Sequence, residues 1–199
     1  MEKPTTKELN RLADDVVFGI DHFLLDQKIV DTILDTYKNF CRSDNARRLA
    51  ILEKPITDEM FLRLRFECLC FSIFFASLQS SKYLPNQESI ELFGGAIAAA
   101  LIVHSKNTGM SRLYEITLVA IEPELTFGFG EPVDPLDRLE EYRDSFVKAR
   151  GSEVEHFGKW IGKSLDPPNY PLFDIIGGSF GEILLRLSDA VITHVFTGR

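Results

Sequence analysis

Glu153 and His156 stand three residues apart in SEVEHFGKWIGKS, the spacing at which a carboxylate and an imidazole leave one face of a helix together. Di-iron and di-manganese helical bundles use that pair to hold cations between helices, but a complete site takes two such motifs and two further glutamates. Here the remaining histidines, His22, His104 and His194, follow Gly19, Leu101 and Val191 at the same spacing, so the motif stands alone. The metal candidates are therefore Glu67, Glu153 and His156, with Cys70 as an added ligand, and the group they would hold is a divalent or di-iron type metal. Against this, Glu153 falls in the first turn expected after Ser152, where the helix dipole favours any acid. The first expectation is that no cofactor is bound.

Cys68-x-Cys70 has the look of a metal or redox pair until it is placed on a helix. Two residues correspond to about 200° around the axis, so the thiols leave opposite sides and cannot share a metal or join each other. Buried cysteine behaves as a small hydrophobe, and that is the reading preferred for both. Arg63 and Glu67 are four apart, a spacing that makes them neighbours on one helical face. Asp21 and His22 diverge by about 100° and are expected on the outer side of the first helix. His104 and His194 are expected to cap helix C-termini, where an imidazolium meets unpaired carbonyls. No nucleophile elbow, Walker loop or dinucleotide fingerprint is present: Ser179 in GGSFG lies inside a helical pattern, and GFGEP lacks a flanking strand and helix.

Glycines inside helical stretches are the other unusual residues. Gly94 and Gly95, followed by Ala96, Ala98, Ala99 and Ala100, form one small-residue band, and Gly177, Gly178 and Gly181 form another. An interior glycine costs about 1 kcal/mol relative to alanine, so something must offset it. Packing of the two bands on each other is the preferred account; a shallow apolar groove at Gly94, Gly177 and Gly181 for a small apolar ligand or a partner helix is the alternative. Phe127 and Phe129, in the Gly- and Pro-rich EPELTFGFGEPVDP, are the candidates for contact with a partner.

The elements that would position these residues are helices. Thr5 with Glu8 has capping-box spacing ahead of an apolar face from Leu9 to Leu24. Asp26 is the expected cap of a second helix ending near Cys41, and Ala46 to Glu53 reads as a short third. Thr57 followed by two acids opens FLRLRFECLCFSIFFASL, Asn86 opens a helix ending at Asn107 and Gly109, and Pro135, Ser152 and DPPNYP bound the remainder. Residues 112–121 suit a helix or a strand, so 112–130 is a short β-hairpin in the alternative reading. The uncharged run Cys68 to Leu78 is eleven residues, too short for the ~20 that a membrane span needs, and reads as a helix surrounded by other helices.

With 45% hydrophobic and 26% charged residues, the chain of 199 has the composition of a globular protein. Net charge is −8, divided −3 and −5 between residues 1–100 and 101–199, and no basic stripe is present to neutralise a nucleic acid. The polar MEKPTTKELN start and three cysteines fit a cytoplasmic setting without a disulfide framework. The expectation is an all-α single domain over 1–199, a bundle of seven or eight helices with its weakest point at 122–135. Function is expected to be non-enzymatic, through a protein partner or homo-oligomerisation, with no nucleic acid and no membrane. The alternative is a bundle enzyme or sensor binding a metal or an apolar small molecule in its core.

Overall fold

The computed structural model describes residues 4–110, 134–148, 152–165 and 170–198. Among the described residues the chain is all-α: α1 (Thr6–Asp26), α2 (Ile29–Cys41), α3 (Asp44–Arg48), α4 (Asp58–Gln79), α5 (Gln87–Asn107), α6 (Pro135–Lys148), α7 (Ser152–Leu165) and α8 (Tyr170–Thr197), with a 3₁₀ turn at Ser80–Lys82. The expected alternative hairpin at 112–130 lies outside the described residues, as do Phe127, Phe129 and most of the 122–135 connection.

Local chemistry sets the starts. Thr5 Oγ1 accepts from Glu8 N at 3.3 Å while the Glu8 carboxylate accepts from Thr5 N at 2.8 Å, which satisfies two orphan donors reciprocally. Thr57 caps α4 by accepting from Met60 N, and Asn86 caps α5 by accepting from Ser89 N. Two expectations need correction. The residue that starts α2 is Lys28, in the left-handed region at φ 50°, rather than Asp26, whose carboxylate pairs with His22 one turn back. The third helix is Asp44–Arg48, capped by Ser43, and stops short of Ala50, itself at φ 55°.

α4 is the axis of the bundle. From Phe66 to Ala76 every residue is buried, because α1, α2, α5, α6, α7 and α8 all pack on it. α4 and α5 are joined by residues 80–86 and run antiparallel, with Gly94 by Ser77 at one end and, at the other, Arg65 and His104 both on Asp21. α1 and α8 are antiparallel too, with Gly19 on Val191 and with residues from Arg11 to Phe23 lining one groove with residues from Leu187 to Gly198. Phe196 near the end of α8 meets Phe93 near the start of α5, while Asp21 near the end of α1 meets His104 near the end of α5. α1 and α5 therefore lie side by side in the same direction. α7 and α8 form the closest pair, and their buried side chains join one continuous apolar core.

Candidate functional site

The residues expected to hold a metal are drawn toward internal partners. Glu67 leaves α4 toward α6, where Arg138 Nε stands 3.1 Å from Glu67 Oε2 with both side chains almost sealed from water, 2% and 4% exposed. Tyr142, one turn along α6, donates its hydroxyl to the same oxygen at 3.4 Å. The Arg138 guanidinium also contacts the Glu141 carboxylate and lies 3.3 Å from the centre of the Trp160 ring. A cation on an indole face is attracted by the ring quadrupole, most strongly when desolvated. Burial pushes the Glu67 carboxyl above its ordinary range, and Arg138 offsets only part of that. Burial also lifts the Cys68, Cys70 and Tyr142 protons well above their ordinary range, and both cysteines are free and buried as the helical spacing implied.

His156, on α7, borders this cluster without completing a metal set. Its Nε2 accepts the Trp160 indole N–H at 2.9 Å and stands 3.6 Å from Glu141 Oε2. An indole nitrogen only donates, so that Nε2 carries the lone pair and the ring is neutral with its proton on Nδ1. Burial, the largest influence, lowers the His156 pKa, in agreement with a neutral ring. Glu153 is buried one turn earlier on the same helix. Among the described residues no three His, Cys, Asp or Glu side chains gather as metal ligands would. Arg63 reaches back to Glu59 at 2.9 Å and still acts on the Glu67 carboxyl through its charge, while the nearer cation to Glu67 is Arg138.

A second charged cluster gathers around Asp21, a residue expected at the surface. Asp21 is not on the outer side of α1; it is buried between α4 and α5. Arg65 grips it through both oxygens, Nε to Oδ1 at 2.8 Å and Nη2 to Oδ2 at 2.5 Å, and His104 Nε2 meets Oδ2 at 2.6 Å. The His104 imidazole thus faces Asp21 rather than capping α5. Burial would raise the Asp21 carboxyl, but the bonds from His104 and Arg65 outweigh it and hold the carboxyl below its ordinary range. One signal was present: Asp21 is four residues beyond Val17 and three before Leu24, within the buried stripe. His22, its neighbour, does face water beside Asp26.

The glycine bands do not meet. A Cβ on Gly177 would stand 2.6 Å from Ile161 Cβ, and one on Gly181 3.0 Å from Val154 Cγ1, so both are consumed by packing of α8 on α7. Gly158, outside both bands, is the tightest point of that contact: its Cβ would run into the Asp174 carbonyl. Open space for a ligand lies elsewhere, in a groove of about 690 Å³ between α1 and α8 floored by Leu12, Phe23, Leu187 and Val191 and flanked by Arg11.

Gly94 and Gly95 behave differently. The Gly94 Cβ position is 4.0 Å from Ser77 Oγ, and that of Gly95 meets nothing within 4 Å. Gly95 lies on an outer face of α5 with Leu92, Ala99 and Val103; Leu92 is 43% and Val103 57% exposed. Phe18 on the adjacent α1 is 63% exposed and stacks on His22. Among the described residues α5 is the one helix long and apolar enough, by length and composition, to cross a membrane, with 33% of its most apolar window buried in the fold. No family model matches the chain, and comparison with curated proteins and with solved structures finds no match to it.

Proposed function

We propose that this protein acts by protein contact, without chemistry of its own, and that the contact surface is the outer face of α5 with Phe18 beside it. The observation that carries the reading is Gly95. A glycine in the interior of a helix costs about 1 kcal/mol, and among the described residues no close approach uses the space it leaves. The exposed Leu92 and Val103 lie on that same face. Large apolar side chains gathered on one exposed face mark interaction surfaces, whereas scattered ones do not. The setting we assign is cytoplasmic, where three buried free thiols stay reduced. Light scattering and native mass spectrometry test the reading: Ala99→Glu, at an exposed position, is expected to leave the helical content and melting intact while abolishing association. Association unchanged in that variant would remove α5 as the contact surface.

The groove between α1 and α8 supports a second reading, a site for a small apolar molecule. Its volume, about 690 Å³, falls among those of ligand pockets. Ala190→Phe would place a ring over this groove; if an apolar fluorescent probe binds the wild type and this variant equally, the groove is not its site.

A further inference from the structure

We infer that the partner of α5 is a second copy of this chain, paired antiparallel about a two-fold axis that crosses the helix between Ile97 and Ala98; this rests on the reading of α5 as the contact face. The charge pattern along the helix carries it. An exposed acid, Glu88, stands one turn before Leu92 at the N-terminal end of the outer face, with Glu91 at the edge of that face where it accepts from Gln87, and an exposed base, Lys106, stands at the C-terminal end. Two copies side by side in the same direction would bring like charges together at both ends. Two copies running in opposite directions place each Lys106 between Glu88 and Glu91 of the other.

The apolar positions agree with the same register. An axis between Ile97 and Ala98 sets Leu92 against the second copy's Val103, Ala96 against its Ala99, and each of these contacts occurs twice, as an isologous interface requires. The larger side chains, Leu92 and Val103, then fill the flanks, and the small residues, Gly95, Ala96 and Ala99, lie at the crossing where backbones come nearest. The open space at Gly95 acquires a use: with no neighbour within 4 Å among the described residues, it admits the second helix. Phe18 on the parallel neighbour α1 is a further exposed apolar side chain. Charge placement of this kind sets orientation more than strength, so the pairing is concentration-dependent.

Single surface cysteines read the orientation directly. The three native thiols are buried and do not interfere. Leu92→Cys and Val103→Cys are prepared as separate full-length proteins, and disulfide formation is followed under mild oxidation for each alone and for the mixture. Antiparallel pairing gives a crosslink in the mixture and almost none with either alone, because two copies of residue 92 are about 16 Å apart along the axis, beyond the ~7 Å Cα separation a disulfide spans. Leu92→Cys crosslinking to itself would overturn this inference while leaving α5 as the contact face. A monomer at every concentration from low to high micromolar would overturn both, and would assign the face to another protein or a membrane. Charge reversal gives a second readout: Lys106→Glu is expected to weaken the dimer about tenfold, and adding Glu88→Lys with Glu91→Lys to restore it. Failure of that restoration overturns the register.

Discussion

Arg65 and Asp21 are joined by two hydrogen bonds between α4 and α1, across 44 residues of sequence, with His104 of α5 on the same carboxylate. Three helices are thereby tied at one buried point. Removing one partner of such a cluster leaves charge stranded in the interior, at a cost of about 3–5 kcal/mol. Asp21→Ala is expected to lose that much in urea unfolding, and Asp21→Asn less. The folded carboxyl sits below its ordinary pKa, so its contribution is present above the unfolded value and is lost as pH falls through the folded one. The stability gap between wild type and Asp21→Asn is therefore expected to be flat above about pH 5 and to close in acid. A gap independent of pH would mean that the carboxylate is not held by its partners.

Glu67 and Arg138 test a different balance. Here both groups are nearly sealed, and desolvation weighs heavily on the carboxyl. Arg138→Met alone is expected to cost about 3–5 kcal/mol, because it leaves Glu67 without its cation. The double variant Glu67→Gln with Arg138→Met removes both charges and is expected to recover most of that loss. A double-mutant cycle by denaturant unfolding reads the coupling. Simple additivity would show that the two groups do not interact.

Trp160 is the only tryptophan, so its fluorescence reports one place. Its indole N–H bond to His156 exists only while that ring is neutral. Burial lowers the His156 pKa, so the emission is expected to change in a titration with a midpoint below the ordinary value of 6.5, and the change to vanish in His156→Phe. The linked stability has the sign of a depressed pKa: present above 6.5, and lost as pH falls through the folded value. A midpoint at or above 6.5 would contradict the burial described for this ring.

Two glycines should respond oppositely to alanine. Gly158→Ala drives a methyl into the Asp174 carbonyl of α8, and backbone yields poorly; a loss of about 3 kcal/mol is expected. Gly95→Ala adds a methyl in open space, and a gain approaching about 1 kcal/mol is expected from helix propensity. Thermal melts at low protein concentration, which disfavours the proposed pairing, separate the two. Equal effects would refute the assignment of Gly158 to the α7–α8 contact.

Helix starts were legible in the sequence because capping is local: Thr5, Thr57 and Asn86 each bond a backbone N–H three residues on. The depth of α4 was legible as well, since a helix without a polar face must be surrounded. Rotational placement was not. Asp21 belongs to α1's buried stripe, but its partners lie 44 and 83 residues away, and nothing local tells a carboxylate facing solvent from one facing an arginine on another helix. The same limit applied to the glycines. Their cost could be read from type alone, whereas the partner that uses each space depends on how α7, α8 and α5 are turned. Lys28 illustrates a smaller failure: a lysine in the left-handed region has no signature, and Asp26 looked the better cap.

The apolar character of α4 on every side has a consequence for how the chain finds a single arrangement. Grease alone would let this helix turn about its axis with little penalty, because no side of it prefers water. Arg65 and Glu67, about 200° apart, act as a two-toothed key. Arg65 enters the notch formed by Asp21, and Glu67 enters the one formed by Arg138. Half a turn of the helix would set Arg65 against Arg138 and Glu67 against Asp21, two repulsions in place of two attractions. Opposite charges two residues apart thus choose one orientation for the least amphipathic helix of the bundle.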